Sequence, residues 1–156
     1  AQAGIRLDET PPPLEDQLAA ILPSTNSLSG LLDHLERLEI EPGLAIMVQG
    51  APPDDLFFVE AGRITTHLNR SDGTSLRLET MRNGRVVGEI GFYLGQDRTA
   101  SVIADEQSTL YRLTTADLQK LEKENPEAAS ILHQIIIRLL AERVTHLVRT
   151  VNALQK

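Results

Sequence analysis

The chain contains no cysteine in 156 residues. That excludes a disulfide framework and any thiolate metal site, and it fits a reducing, cytoplasmic compartment. No run of about 18 uninterrupted apolar residues occurs, so no segment reads as a membrane span. The N-terminus lacks the charged-then-apolar pattern of a signal peptide. An initiator methionine is missing too: the chain opens on Ala1, as expected of a piece of a longer polypeptide. Positive charge is scarce, with 15 Lys and Arg against 22 Asp and Glu and a formal net charge of −7. Long-range attraction to nucleic acid or to an anionic membrane is therefore disfavoured. Histidine is sparse and badly spaced for chemistry. His34, His133 and His146 fall on helical stretches with no second ligand one turn away, and His67 stands alone among polar strand residues, facing solvent. A metal site is not expected, nor is a β-roll metalloenzyme, whose chemistry needs two close histidines on one strand. No catalytic residue is assigned, and the chain reads as a non-enzyme.

What is present is ordinary for a globular protein: 41% hydrophobic and 24% charged residues, enough for one domain with one core. Residues 1–26 read as an N-terminal linker with a short helix. Residues 1–13 are polar and end in Pro11-Pro12-Pro13, an extended, semi-rigid stretch. Leu14, Leu18, Ile21 and Leu22 then recur at helical spacing up to Pro23. Residues 27–156 form the domain. Ser27 caps a second amphipathic helix carrying Leu28, Leu31, Leu32, Leu35 and Leu38. From Ile40 to Leu113 the texture changes to short β-branched runs broken by Pro42-Gly43, Gly50, Gly62, Asp72-Gly73 and Asn83-Gly84, which predicts an antiparallel roll or barrel over about 40–113. Asp-Gly and Asn-Gly predict tight hairpins, since both central residues tolerate positive φ.

Helical period returns after Leu113, over about 115–155. Thr114-x-x-Asp117 resembles a capping box with Asp in place of the usual Glu, and it opens a helix with Leu118 and Leu121. Asn125-Pro126-Glu127 opens a last helix with no breaker before the C-terminus. Along it Ile137, Leu140, Val144, Leu147, Val151 and Leu154 make a heptad seam, while Leu132, Ile135, Ile136 and Leu139 widen the apolar face of the first half. The expected arrangement seats the first half on the roll and pairs the second half with another copy of the chain. The charged run Glu122-Lys123-Glu124 reads as a solvated helix face.

The most informative segment is VGEIGFYLGQDRTASV, residues 87–102. Gly88 lets a backbone approach a ligand closely, and Glu89 offers a carboxylate to a sugar hydroxyl. Ile90, Gly91, Phe92 and Tyr93 are expected to form one helical turn whose free N–H groups face an anion. Arg98, nine residues after Glu89, closes the opposite side with a guanidinium that holds a phosphate through two parallel charge-assisted bonds. The Thr99 hydroxyl and the Ala100 amide add donors. On physical grounds alone this is an anion nest; Glu89 and Arg98 as a plain surface ion pair is the competing reading.

The segment resembles the phosphate-binding cassette of the cyclic nucleotide-binding domains of catabolite activator protein, cAMP-dependent protein kinase regulatory subunits and cyclic-nucleotide-gated channels. The likeness runs over about residues 31–150. LFFVEAGRI, residues 56–64, is similar to the strand-turn-strand ahead of the cassette, with Gly62 at the turn. The resemblance implies a mainly β fold with flanking α: an antiparallel β-roll (double-stranded β-helix, jelly-roll-like) with N-terminal helices and a long C-terminal helix. It implies a binding site for cAMP or cGMP built from Gly88, Glu89, Ile90, Gly91, Phe92, Arg98, Thr99 and Ala100, with Glu89 on the ribose 2′-OH and Arg98 on the exocyclic phosphate. Thr99 does not decide between the two bases, and Arg138, Arg143 and His146 stay open as purine contacts. No other cofactor is implied.

The function expected is regulatory: ligand occupancy passes through the C-terminal helices to a parent protein. The alternative is a docking or dimerisation module of the same fold that binds no nucleotide. No DNA-reading helix-turn-helix follows the long helix and no second cassette appears, which points away from a transcription factor and from a kinase regulatory subunit. LEDQLAAIL, GEIGFYLGQDRTASV and STLYRLTTADLQKLEKENPEAAS look similar to the cytosolic tail of bacterial SulP-type anion transporters. That implies a place on the cytosolic face of a membrane protein, with no membrane insertion by this segment.

Overall fold

The computed structural model describes residues 10–21 and 29–155. Two short helices, α1 (Leu14–Ala19) and α2 (Ser29–Leu32), precede the strands β1 (Glu36–Ile40), β2 (Ala45–Met47), β3 (Asp55–Ala61), β4 (Ile64–Asn69), β5 (Ser75–Met81) and β6 (Val86–Val87). Helix α3 (Glu89–Leu94) follows, then β7 (Ser101–Ala104), β8 (Ser108–Thr114), α4 (Thr115–Glu124) and α5 (Pro126–Leu154). The strands form two four-stranded sheets, ordered β1-β8-β3-β6 and β2-β7-β4-β5, with every pairing antiparallel. This is the β-roll with flanking helices that the sequence implies.

Strand β3 explains how the layers stack. Its run Leu56, Phe57, Phe58, Val59 is buried without alternation because both faces are covered. Phe57 and Val59 point between the sheets, with Met47, Ile64, Met81, Val87, Val102, Ala104 and Leu110. Leu56 and Phe58 point the other way, into a second layer formed with Leu14, Leu18, Leu31, Leu113, Leu121, Leu132, Ile135 and Ile136. The helices thus cover the outer face of the first sheet. Each fully buried Leu or Ile there contributes roughly 1.5–3 kcal/mol.

The end signals of the C-terminal helices work as their residue types predict. The Thr114 hydroxyl accepts from the Asp117 amide at 3.0 Å, and Asn125 Oδ1 accepts from the Ala128 amide at 3.2 Å, with Pro126 opening α5. Of the α5 seam, Ile137, Val144, Leu147, Val151 and Leu154 are exposed, and Leu140 is half-buried against the helical layer.

Several sequence expectations need correction. The second helix does not run to Leu38: it ends at Leu32, Leu35 is buried in the following turn, and Leu38 lies in β1. Strand structure therefore starts at Glu36 instead of Ile40, because Glu36–Ile40 find a complete antiparallel partner in Ser108–Arg112. Leu22, Pro23, Ser27 and Leu28, and residues 1–9, lie outside the described residues. Asp72-Gly73 does turn a hairpin, β4 to β5, but Asn83-Gly84 does not: β5 and β6 belong to different sheets, and the dipeptide carries the chain across the roll. Gly62 performs a similar crossing between β3 and β4. It has φ +105°, and a Cβ there would lie 2.2 Å from Ser108 Oγ, so the crossing brings two backbones closer than any side chain permits.

Candidate functional site

The cassette residues line one cleft at the mouth of the roll. Gly88, Glu89, Ile90, Gly91, Arg98, Thr99 and Ala100 surround it together with Met47, Thr66, Met81, Val87, Val102 and Arg143. The cleft holds about 560 Å³ of empty space, its open mouth included, within the range of small-molecule sites. Phe92, grouped with these residues at the sequence level, is not among them. Its ring packs into the helical layer instead, and its amide donates to the Gly88 carbonyl at 3.1 Å. The N–H groups of α3 left without a helical partner are therefore those ahead of Phe92.

The turn that builds the site depends on Gly88, whose φ of +86° swings the chain from β6 into α3. A Cβ there would meet Met47 Sδ at 2.8 Å and Arg98 Nη1 at 3.0 Å. The space a side chain would fill is used by the arginine. Gly91 is small for a similar reason, since a Cβ would come within 2.8 Å of the Gln96 carbonyl. The segment after α3 is tied down by main-chain bonds to the loop after β2: Arg98 N to Ala51 O at 2.9 Å and Gly50 N to Arg98 O at 2.8 Å.

Arg98 is 7% exposed. Its Nη1 donates to the Gly88 carbonyl at 2.9 Å, and its Nη2 donates to Asp55 Oδ1 at 2.7 Å and to the Asp55 carbonyl. Asp55 also accepts from Arg112 Nε at 2.7 Å, and Arg112 reaches Glu36 at 3.2 Å. A buried guanidinium is costly unless paired; here a carboxylate and two carbonyls satisfy it and fix its plane beside the cleft.

Glu89 is 2% exposed. Burial pushes its carboxyl above the usual range, while its own amide and Arg143 pull the other way. Arg143 reaches in from α5. Its Nη1 donates to Glu89 Oε1 at 2.8 Å and its Nη2 to Glu79 Oε2 at 2.6 Å, while Glu79 Oε1 accepts from Arg85 Nη2 at 2.6 Å. The competing reading, in which Glu89 pairs with Arg98, does not match this arrangement: each has its own partners. Of the three α5 residues left open by the sequence, Arg143 lines the cleft, and Arg138 and His146 are exposed. A second link joins the cassette to the C-terminal helices: Tyr93 Oη and His133 Nδ1 lie 3.0 Å apart, and His133 Nε2 lies 3.4 Å from Glu122 Oε2.

Asp55, Glu79 and Arg85 were not singled out by sequence reasoning. Glu79 and Arg85 lie close together just ahead of Gly88 and Asp55 lies further back, but no motif marks any of the three as a site residue. Among the described residues there is no group of three His, Cys, Asp or Glu positioned to hold a metal, and no helix is long and apolar enough to cross a membrane.

The roll and its cleft define a small-molecule-binding domain. Residues 37–125 match the cyclic nucleotide-binding domain family, and the chain belongs to that family. Over 104 residues it is 32% identical to Glutaminase 1 of Bradyrhizobium diazoefficiens, a match that takes in 67% of this chain and 16% of that protein. The chain thus spans about a sixth of that relative's length. Among solved structures, a cyclic nucleotide-binding domain from Methylobacillus flagellatus superposes with a TM-score of 0.77 at 18% identity, covering 85% of this chain and 77% of that one. The Thermus thermophilus catabolite activator protein does so with a TM-score of 0.66 at 23% identity, covering 89% and 63%. At these identities the two structures establish the fold.

Proposed function

We propose that the chain is a regulatory module that binds a cyclic mononucleotide in the cleft and passes its occupancy, through α4 and α5, to the longer polypeptide that carries it. The observation that carries this reading is the placement of Arg98: a buried, fully oriented guanidinium at the edge of a cleft whose other side holds a buried carboxylate, Glu89. An anion bridging to Arg98 and to the amides at the start of α3 would leave a ribose hydroxyl within reach of Glu89, which is the polarity of a cyclic nucleotide. Thr99 and Ala100 line the same wall. The chain is read as a binding module and not as an enzyme.

The alternative, a docking module that binds no nucleotide, is not favoured, because Glu89 and Arg98 are both kept and both face one cavity. Pairing of α5 with a second copy is compatible with ligand binding and is proposed alongside it, supported by the exposed seam residues Val144, Leu147, Val151 and Leu154. A SulP-type transporter as the parent rests on sequence resemblance alone. The glutaminase match supports only the coarser reading, a module within a longer chain.

Calorimetric titration with cAMP, cGMP and 2′-deoxy-cAMP tests the binding reading. The expected result is saturable binding of at least one cyclic mononucleotide and weaker binding of the 2′-deoxy ligand. A ligand that binds only the folded chain also raises stability by about 2.7 kcal/mol at a hundredfold excess over Kd. No heat and no thermal shift with either purine at millimolar concentration would end this reading.

A further inference from the structure

We propose that Gln49 is a positioning residue for the phosphate side of the cleft: its side-chain amide takes the place in the β4 ladder that Thr99 leaves, which frees Thr99 and Ala100 to line the cleft. The register makes the gap explicit. β7 pairs with β4 through Ile64↔Ala104, Thr65↔Ile103, Thr66↔Val102 and His67↔Ser101, so the same ladder continued would set Ala100 opposite Leu68 and Thr99 opposite Asn69. The chain departs from the ladder there instead. β7 begins only at Ser101 while β4 runs on to Asn69, and Thr99 and Ala100 line the cleft.

Asn69 is the residue that this departure would orphan. In an antiparallel ladder alternate residues turn both main-chain groups towards the same neighbour. The Asp105 amide donates to the Arg63 carbonyl at 2.8 Å, so Arg63, Thr65, His67 and Asn69 turn theirs towards β7. Both groups of Asn69 are nevertheless paired. Its amide donates to Gln49 Oε1 at 2.8 Å, and Gln49 Nε2 donates to its carbonyl at 3.0 Å. These are the two bonds that Thr99 would have made, and a carboxamide supplies the same donor and acceptor as a peptide unit. The main chain of Gln49 is fixed as well, since its amide donates to Ser101 Oγ at 2.9 Å. The next two residues, Gly50 and Ala51, hold the carbonyl and the amide of Arg98. Gln49 thus anchors the loop that grips Arg98 and keeps the end of β4 from recapturing Thr99. Among the described residues, no main-chain or side-chain acceptor takes the Thr99 or Ala100 amide, so both donors stay available to an anion beside Arg98.

The use of Thr99 and Ala100 by a ligand phosphate rests on the cyclic nucleotide reading; the replacement of Thr99 by Gln49 at Asn69 does not. The test is accordingly made first on the ligand-free chain, with Gln49→Met, which keeps the length of the side chain and removes both bonds. Amide hydrogen exchange at Thr99 should slow by about tenfold, because Asn69 takes the Thr99 main chain back as its partner. Gln49→Glu, which keeps the acceptor and loses the donor, should slow it less. An unchanged Thr99 rate in Gln49→Met, with Asn69 alone exchanging faster, would mean that Gln49 only caps the end of β4, and overturns the proposal. With cAMP as the probe, Gln49→Met should bind about tenfold more weakly, and the loss should fall on the phosphate. Between the two diastereomers of cAMP in which sulfur replaces one exocyclic oxygen, the variant should therefore discriminate less than wild type does. Unchanged affinity, or an equal loss for cAMP and both sulfur analogues, removes the phosphate side from the role of Gln49 and overturns the proposal. If no cyclic nucleotide binds wild type while Gln49→Met still slows the Thr99 amide, the sensor reading fails and the positioning of Thr99 stands. If cAMP binds wild type and the Thr99 rate does not move, the sensor reading stands and the positioning fails.

Discussion

Arg98 and Asp55 are locked together across 43 residues of sequence, Nη2 to Oδ1 at 2.7 Å, with the Asp55 carbonyl accepting from the same nitrogen. Asp55 begins β3 and Arg98 precedes β7, so the pair joins the two sheets at the edge of the cleft. The guanidinium therefore has a structural role within the fold itself.

Arg98→Ala is therefore expected to act twice. On the proposed binding reading, loss of the charge-assisted contact between Arg98 and the ligand phosphate weakens cyclic nucleotide binding by about 2–4 kcal/mol. Sequence reasoning treats Arg98 as a ligand contact only, which predicts an unchanged thermal midpoint without ligand. The structure predicts a fall, because Asp55 and the Gly88 carbonyl lose their donor, at a cost of about 1–3 kcal/mol. Denaturant melts of the ligand-free variant decide between the two, and an unchanged midpoint would mean Arg98 is not held as described.

Glu89 gives a pH signature of defined sign. Its folded-state carboxyl titrates above the ordinary value of 4.5 because of burial. A raised acid contributes stability that is fully present below the unfolded value and is lost as pH rises through the folded one. The stability difference between wild type and Glu89→Gln should thus shift in favour of wild type as pH falls from 7 to 4. Every other titrating group cancels in that difference to first order. Urea melts of both chains at the two pH values measure it, and a shift towards the variant on acidification would show that pairing with Arg143 outweighs desolvation.

The division between what the sequence made legible and what it did not follows the range of the interactions. The cassette was readable because its residues are contiguous: Gly88 turns, Glu89 opens α3, and Arg98 lies within reach along the same segment. The capping residues Thr114 and Asn125 were readable for the same reason. Leu38 and Asn83-Gly84 misled. An apolar residue at helical spacing was claimed by a strand partner, Leu110, 72 residues away, and a hairpin dipeptide was used to cross between sheets. Phe92 was grouped with the ligand site, although on a six-residue helix it faces the layer beneath it. Asp55, Glu79 and Arg85 carried no signal at all, since their significance comes only from what the fold brings beside them.

Gly62 offers a test of the crossing between sheets. Gly62→Ala faces both a left-handed backbone at φ +105° and a 2.2 Å approach to Ser108 Oγ, so it should cost more than about 2 kcal/mol. Gly30→Ala in α2 is the control: nothing lies within 4 Å of its Cβ position, and a helical glycine replaced by alanine is neutral or stabilising by up to about 1 kcal/mol. Equal effects in chemical denaturation would contradict the close approach of β8 at Gly62.

The second half of α5 carries the last prediction. Beyond Leu139 the helix buries no further hydrophobic residue fully, and Val144, Leu147, Val148, Val151 and Leu154 are all exposed, from 49% at Leu147 to 80% at Leu154. Five apolar side chains over eleven residues at heptad-like spacing form a stripe of the kind that pairs helices. Leu147→Glu removes no buried contact within one chain, so the monomer's thermal stability should change by no more than about 0.5 kcal/mol. If α5 pairs with a second copy, the same change places like charges across the seam and shifts the sedimentation coefficient from dimer to monomer at tens of micromolar. A wild-type chain that sediments as a monomer at high micromolar concentration would leave the stripe without a second copy as its partner, and the proposed coupling of ligand to output would then have to run within a single chain.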